Sequence, residues 1–151
     1  MKLRYKILNS VLAILVIAVT ALAIVLSYES ECPPPMAAAT GTDTMKAAIY
    51  RCYGSSDVIE LADLPRPEPG DNEILVRIQA AAVNPLDWHF LTGTPYFLRL
   101  QAGLRQPKRT VPGSDVAGEV EAVGSTVTRL RSGDPVFGEI GGGSFAEYAA
   151  A

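Results

Sequence analysis

Few residues in this sequence of 151 can carry chemistry, and their spacing restricts what that chemistry is. His89 is the only histidine, and Cys32 and Cys52 are the only cysteines. A catalytic metal needs about three protein ligands drawn from Cys, His and carboxylate, so no metal site is expected. The cysteines make no C-x-x-C pair and no spacing that suits a metal, and both are read as free thiols. Around His89, the run Asn84-Pro85-Leu86-Asp87 opens like a helix. Asn84 suits the cap, Pro85 the first helical position, and Asp87 the first turn near the positive end of the helix dipole. Asp87 therefore has a capping role to weigh against direct catalysis. His89 can give a proton or a hydrogen bond at neutral pH, although a histidine between Trp88 and Phe90 is more often packed or at the surface.

One glycine pattern invites a nucleotide-binding interpretation. Gly141-Gly142-Gly143-Ser144-Phe145-Ala146 fits G-x-G-x-x-A, but the fingerprint works only where a strand leads into a helix. No helix or βαβ unit follows, so the match is read as false and no cofactor-binding residue is assigned.

The elements that must position these residues are mostly extended. From Glu73, the residues Ile74, Val76, Ile78 and Ala80 alternate with Leu75, Arg77 and Gln79, the period of two of a strand with one buried face. Met45 to Arg51 and Val58 to Leu64 read as strands, and the proline-rich run from Pro65 to Asn72 as a loop. Val116 to Val123 places Val116, Gly118, Val120 and Ala122 on one side and Ala117, Glu119, Glu121 and Val123 on a wet side. Gly113, Gly118, Gly124, Gly133 and Gly138 fall where turns or close strand approach would penalise a side chain. Short strands broken by Gly and Pro predict a mainly β fold, an all-β barrel or sandwich.

Ahead of this domain, Ile7 to Leu26 hold no charged side chain, after Lys2, Arg4 and Lys6. As a helix this run extends roughly 30 Å, the thickness of a bilayer's hydrocarbon core. It is read as an uncleaved single-pass anchor over residues 7–26, behind a basic flank at 1–6 and followed by a linker at 27–44. Basic residues before it and Glu29 and Glu31 after it place the N-terminus in the cytoplasm and the domain across the membrane. That placement conflicts with an enzyme fed by nicotinamide cofactors, which are concentrated inside cells. The alternative takes Met45 as the true start and the protein as cytoplasmic. Thirteen basic against sixteen acidic residues, without a long run of either sign, exclude nucleic acid as an expected partner and favour small molecules.

Three stretches carry a family resemblance. Ala80-Ala81-Ala82-Val83-Asn84-Pro85-Leu86-Asp87 resembles the strand leading into the catalytic loop of the medium-chain dehydrogenases/reductases. Pro112-Gly113-Ser114-Asp115-Val116-Ala117-Gly118-Glu119-Val120 resembles their P-G-x-[DE]-x-[AS]-G-x-V. Gly133-Asp134-Pro135-Val136-Phe137-Gly138 and Gly143-Ser144-Phe145-Ala146-Glu147-Tyr148 then follow in the family's order. Zinc-dependent members have a cysteine at the position of Asn84 and a histidine at that of Ser114, so the chain resembles the zinc-independent quinone oxidoreductases.

The resemblance implies a GroES-like, partly open β-barrel over residues 45–151, truncated and incomplete at its C-terminus. It also implies the substrate-binding lobe of an NADPH-dependent quinone or enone oxidoreductase, without zinc. Asn84, Asp87 and His89 are the implied catalytic candidates, Asn84 through an amide that donates to a carbonyl oxygen gaining charge. Tyr96 and Phe97 are candidates for walling an apolar substrate pocket. Hydride would come from a cofactor held on a Rossmann half, possessed by a separately encoded partner if the gene is split. Without that half, the chain is expected to bind NADPH weakly or not at all and to have no turnover. The competing expectation is a membrane-tethered module that binds a small molecule or a partner and catalyses nothing.

Overall fold

The computed structural model describes residues 2–28, 31–37, 39 and 41–151. Glu29 and the Lys2 side chain, both invoked by the charge asymmetry, lie outside the described residues, as do Ser30, Ala38 and Thr40 of the linker.

Helix α1 runs from Lys2 to Ser27, and its described side chains are exposed except for a half-buried Leu26. The stretch Arg4–Ser27 is long and apolar enough to cross a membrane by length and composition, with a mean hydropathy of 2.8. The chain beyond it lies against the globular part. Arg51 donates through Nη2 to the Pro33 and Pro34 carbonyls, and Ala39 N donates to Asp63 O at 3.2 Å. Cys32 and Cys52 form a disulfide with Cα atoms 5.1 Å apart, which corrects the reading of free thiols. The pairing depends on the linker folding back along the lobe, and the spacing of two cysteines says nothing of that path.

Strands β1 (Thr44–Ile49) and β2 (Glu60–Pro65) pair antiparallel. Strands β3 (Ile74–Ala82), β4 (Asp115–Val123), β5 (Pro135–Glu139) and β6 (Tyr148–Ala150) form a second antiparallel sheet in the order β5-β4-β3-β6. The segment entering β6 joins the two sheets. Ala48 N donates to Phe145 O at 2.8 Å and Glu147 N to Lys46 O at 3.0 Å on one side, while Ile78 N donates to Glu147 O at 2.9 Å on the other. Strands β2 and β5 are left at opposite ends without pairing to each other, so the barrel is not closed. Helices α2 (Pro85–Thr92) and α3 (Arg99–Ala102) complete a mixed α/β architecture, which the expectation of a mainly β fold had missed.

The core sits where the sheets face each other, around Ile49, Val76, Val120 and Ala149. Val76 and Val120 are cross-strand partners exposed by 2% and 0%, and each buried side chain contributes about 1.5 to 3 kcal/mol. The alternation expected of β3 holds only in part. Leu75 and Val76 are both buried, beside a shift in register at which Glu121 of β4 is left without a cross-strand partner, while Ala80 to Ala82 stay exposed. In β4 the burial of Val116 and Val120 follows the expected face. Among the glycines, Gly124 has no room for a side chain against the carbonyls of Gly70 and Asp71, and Gly133 has φ +91°. Gly138 meets open space at an ordinary φ, so a penalty expected there is absent.

Candidate active-site cleft

Helix α2 begins with a reciprocal capping box. Asn84 Oδ1 accepts from Leu86 N at 2.8 Å and Asp87 N at 3.4 Å, and Asp87 Oδ2 accepts from Asn84 N at 2.9 Å. These bonds satisfy amide groups that a helix start leaves without partners, and Pro85 at the first position has no N–H to satisfy. Asn84 Nδ2 donates to Asp115 Oδ2 at 2.9 Å, which fastens the start of α2 to the start of β4. The helix ends at Gly93 in the left-handed region (φ 62°), where a Cβ would collide with Arg99 and Tyr53.

Beside α2 lies a cleft of about 460 Å³. Tyr50, Leu86, Phe90, Val111 and Ile140 give it apolar walls, while Asp87, Gln101, Lys108, Arg109 and Glu139 add polar groups. Mostly apolar walls with a few polar groups are what a small organic ligand needs. Ser114 and Gly113, which follow Pro112, form part of the floor. A Cβ on Gly113 (φ +93°) would meet Ser144 Oγ and the Phe145 ring. Ser144 Oγ itself is buried without a hydrogen-bond partner among the described residues.

Of the catalytic and substrate-wall candidates Asn84, Asp87, His89, Tyr96 and Phe97, only Asp87 lines this cleft, at 6% exposure. Asn84 stands behind it as the cap. His89 is exposed, and its Nδ1 donates to the Thr94 carbonyl at 2.7 Å. With that nitrogen carrying the proton, only the doubly protonated ring can donate through Nε2. Tyr96 is not a cleft wall but one of two rings around buried Arg99, with Tyr96 at 5.0 Å and Tyr53 at 4.4 Å from the guanidinium. Phe97 is exposed to solvent. Neither residue is among those lining this cleft, to which the same segment contributes Gln101, Ala102, Lys108 and Arg109.

Tyr50 and Tyr53 escaped the sequence reading. Tyr50 follows β1 directly and lines the cleft at 4% exposure. Burial pushes its phenol up to about 12, helped by Tyr53 and by the Asp87 carboxylate. The cleft thus holds a phenol that stays protonated and can donate to a carbonyl oxygen. Tyr53 is also pushed up by burial, against the opposing pull of Arg99, and its hydroxyl donates to the Gly103 carbonyl. The only sequence signal for either was an aromatic residue at a strand end, which most folds use for packing.

The two ligand positions of zinc-dependent relatives are filled by Asn84, whose side chain is committed to the cap and Asp115, and by Ser114, buried in the cleft floor. That donor set does not fit a catalytic zinc. Gly142 and Gly143 have φ 124° and 110° in a turn that leads into strand β6, so this turn offers no helix N-terminus for a pyrophosphate. This turn does not fit the phosphate-holding part of NADPH.

A half-open antiparallel barrel with one helix laid beside an apolar cleft defines a small-molecule-binding lobe. The alcohol dehydrogenase GroES-like domain family matches residues 70–151. A chloroplastic quinone-oxidoreductase homolog of Spinacia oleracea is 39% identical over 111 residues, covering 71% of this chain and 32% of its own length. The solved quinone oxidoreductase of Coxiella burnetii superposes with a TM-score of 0.61 at 34% identity, over 72% of this chain and 34% of its own. A mycobacterial protein solved in complex with NADPH gives a TM-score of 0.57 at 30% identity, over 71% and 30% of the two chains. The chain belongs to the alcohol dehydrogenase GroES-like domain family, as a quinone oxidoreductase-like N-terminal domain of the medium-chain dehydrogenase/reductase superfamily. It spans about a third of the length of the curated relatives it matches.

Proposed function

We propose that these residues form the substrate-binding lobe of an oxidoreductase that reduces quinones, enones or related carbonyl compounds with NADPH. The cleft carries this reading, because it joins apolar walls to a protonated Tyr50 phenol, with Lys108 and Arg109 also lining it. A flat apolar substrate fills such a space, and the phenol can donate to a carbonyl oxygen gaining negative charge, while Lys108 and Arg109 are matched in number by Asp87 and Glu139. Asp87 and Asn84 fix the start of α2 and hence the wall that Leu86 and Phe90 provide. His89, turned to the Thr94 carbonyl, stands outside this arrangement. A bound cofactor would supply the hydride, and the dinucleotide site is assigned to residues other than those described. The 151-residue chain is therefore expected to bind substrate without turning it over.

A second reading, of a membrane-tethered module that binds an apolar carbonyl compound without catalysis, is favoured by the disulfide. Disulfides persist mainly in oxidising compartments, and Cys32–Cys52 lies just after a helix whose flanking charges orient the lobe away from the cytoplasm. Both readings assign the cleft the same ligand class, with residues 7–26 as a single-pass anchor.

The test adds a naphthoquinone and NADPH, separately and together, to the purified chain. Thermal stabilisation by the quinone without NADPH oxidation is expected. No quinone-dependent stabilisation would remove the substrate-lobe reading, and quinone-dependent NADPH oxidation would overturn the need for further residues.

A further inference from the structure

The end of α1 is held by the same segment that walls the cleft. Arg99 Nη1 donates to the Tyr28 carbonyl at 3.1 Å, and the Arg105 guanidinium lies 5.4 Å from the Tyr28 ring centre. The Tyr96–Leu98 turn is in contact with α1. Around this junction, Phe97, Leu100 and Leu104 are exposed by 63%, 61% and 42%. The segment is also cationic within an acidic chain: between Asp87 and Asp115 there is no acidic residue, while Arg99, Arg105, Lys108 and Arg109 are all present. Gln101, Ala102, Lys108 and Arg109 line the cleft from the same stretch.

We infer that residues 96–109 form a platform that rests on an anionic bilayer surface, with the cleft opening at that surface. This rests on the reading of α1 as a membrane anchor. A helix that crosses the bilayer ends at the headgroup level, and whatever is fastened to its last residues is held at that level too. Phe97, Leu100 and Leu104 then enter the boundary between headgroups and acyl chains, and Lys108 meets lipid phosphates. Aromatic residues such as Tyr28 and Tyr96 suit this depth, where one end of the ring is apolar and the other wet. Continuity with α1 favours a bilayer over a second copy of this chain. A substrate dissolved in lipid would reach the cleft without passing through water.

The test uses the full chain in vesicles of phosphatidylcholine and phosphatidylglycerol, part of the lipid being brominated on its acyl chains. In a Trp88→Phe background, Phe97→Trp and, independently, Leu100→Trp place a fluorophore on the platform, and Leu61→Trp places one on exposed β2. The expected result is severalfold stronger quenching by brominated lipid at the two platform positions than at Leu61→Trp. If the chain floats with the vesicles but all three are quenched alike, the platform is wrong and the anchor stands. If the chain does not float with them, anchor and platform fall together.

Discussion

Tyr50 and Asp87 line one cleft, and the carboxylate of Asp87 adds to burial and to Tyr53 in keeping the Tyr50 phenol protonated up to about 12. Both residues come from segments that sequence distance separates: the end of β1 and the first turn of α2.

This shift predicts a specific alkaline transition. The folded-state pKa is raised above the ordinary tyrosine value of 10.0, so the folded protein binds this proton more tightly than the unfolded chain. The associated stability is present in full below pH 10 and is lost as pH rises through 12. Denaturation midpoints followed across this window should fall in the wild type and fall much less in Tyr50→Phe. Equal losses in the two proteins would assign the transition to other groups.

Asn84 serves two partners, and its variants should separate them. Asn84→Ala loses the cap and the bond to Asp115, with an expected cost of about 1 to 2 kcal/mol. Asn84→Ser keeps an oxygen for the cap and should cost less. Asn84→Asp also keeps a cap oxygen but sets a carboxylate against Asp115, so it should be destabilised at neutral pH and recover on acidification. Chemical denaturation at two pH values measures this, and an unaffected Asn84→Asp would contradict the Asp115 contact.

The disulfide closes a loop with a sequence separation of 20. Loss of chain entropy in the unfolded state gives it an expected worth of about 3 kcal/mol. Cys32→Ser, or reduction of the wild type, should lower stability by that order. Reaction of both thiols with a maleimide in protein isolated without reductant would show that the bridge does not form in the cell.

What the sequence disclosed was local. The capping box was legible because Asn84, Pro85 and Asp87 are neighbours in the chain, and β4 was legible because Val116 and Val120, both buried, lie four residues apart on one face. The motifs around Asn84 and Pro112 disclosed the family. What stayed hidden depends on contacts between distant segments: Tyr50 entering the cleft, Tyr96 turning to Arg99, and Cys32 meeting Cys52. β3 misled for a related reason, since the register shift beside Leu75 comes from its pairing and leaves no mark on its own alternation. Helix α2 was legible only through its cap, since little more than two turns cannot establish a helical period, and the single turn of α3 left no signal at all.

The central claim is that the cleft beside α2 takes an apolar carbonyl compound, and a quinone titration tests it most directly. Trp88 is the only tryptophan and stands next to Asp87 on α2, so its fluorescence can report a quinone entering the cleft. Saturable quenching is predicted for the full chain, with binding weakened about tenfold, or roughly 1.4 kcal/mol, by Ala102→Phe in the cleft and unchanged by Leu61→Phe on β2. Quenching that never saturates, or that Ala102→Phe leaves unaltered, would contradict the claim.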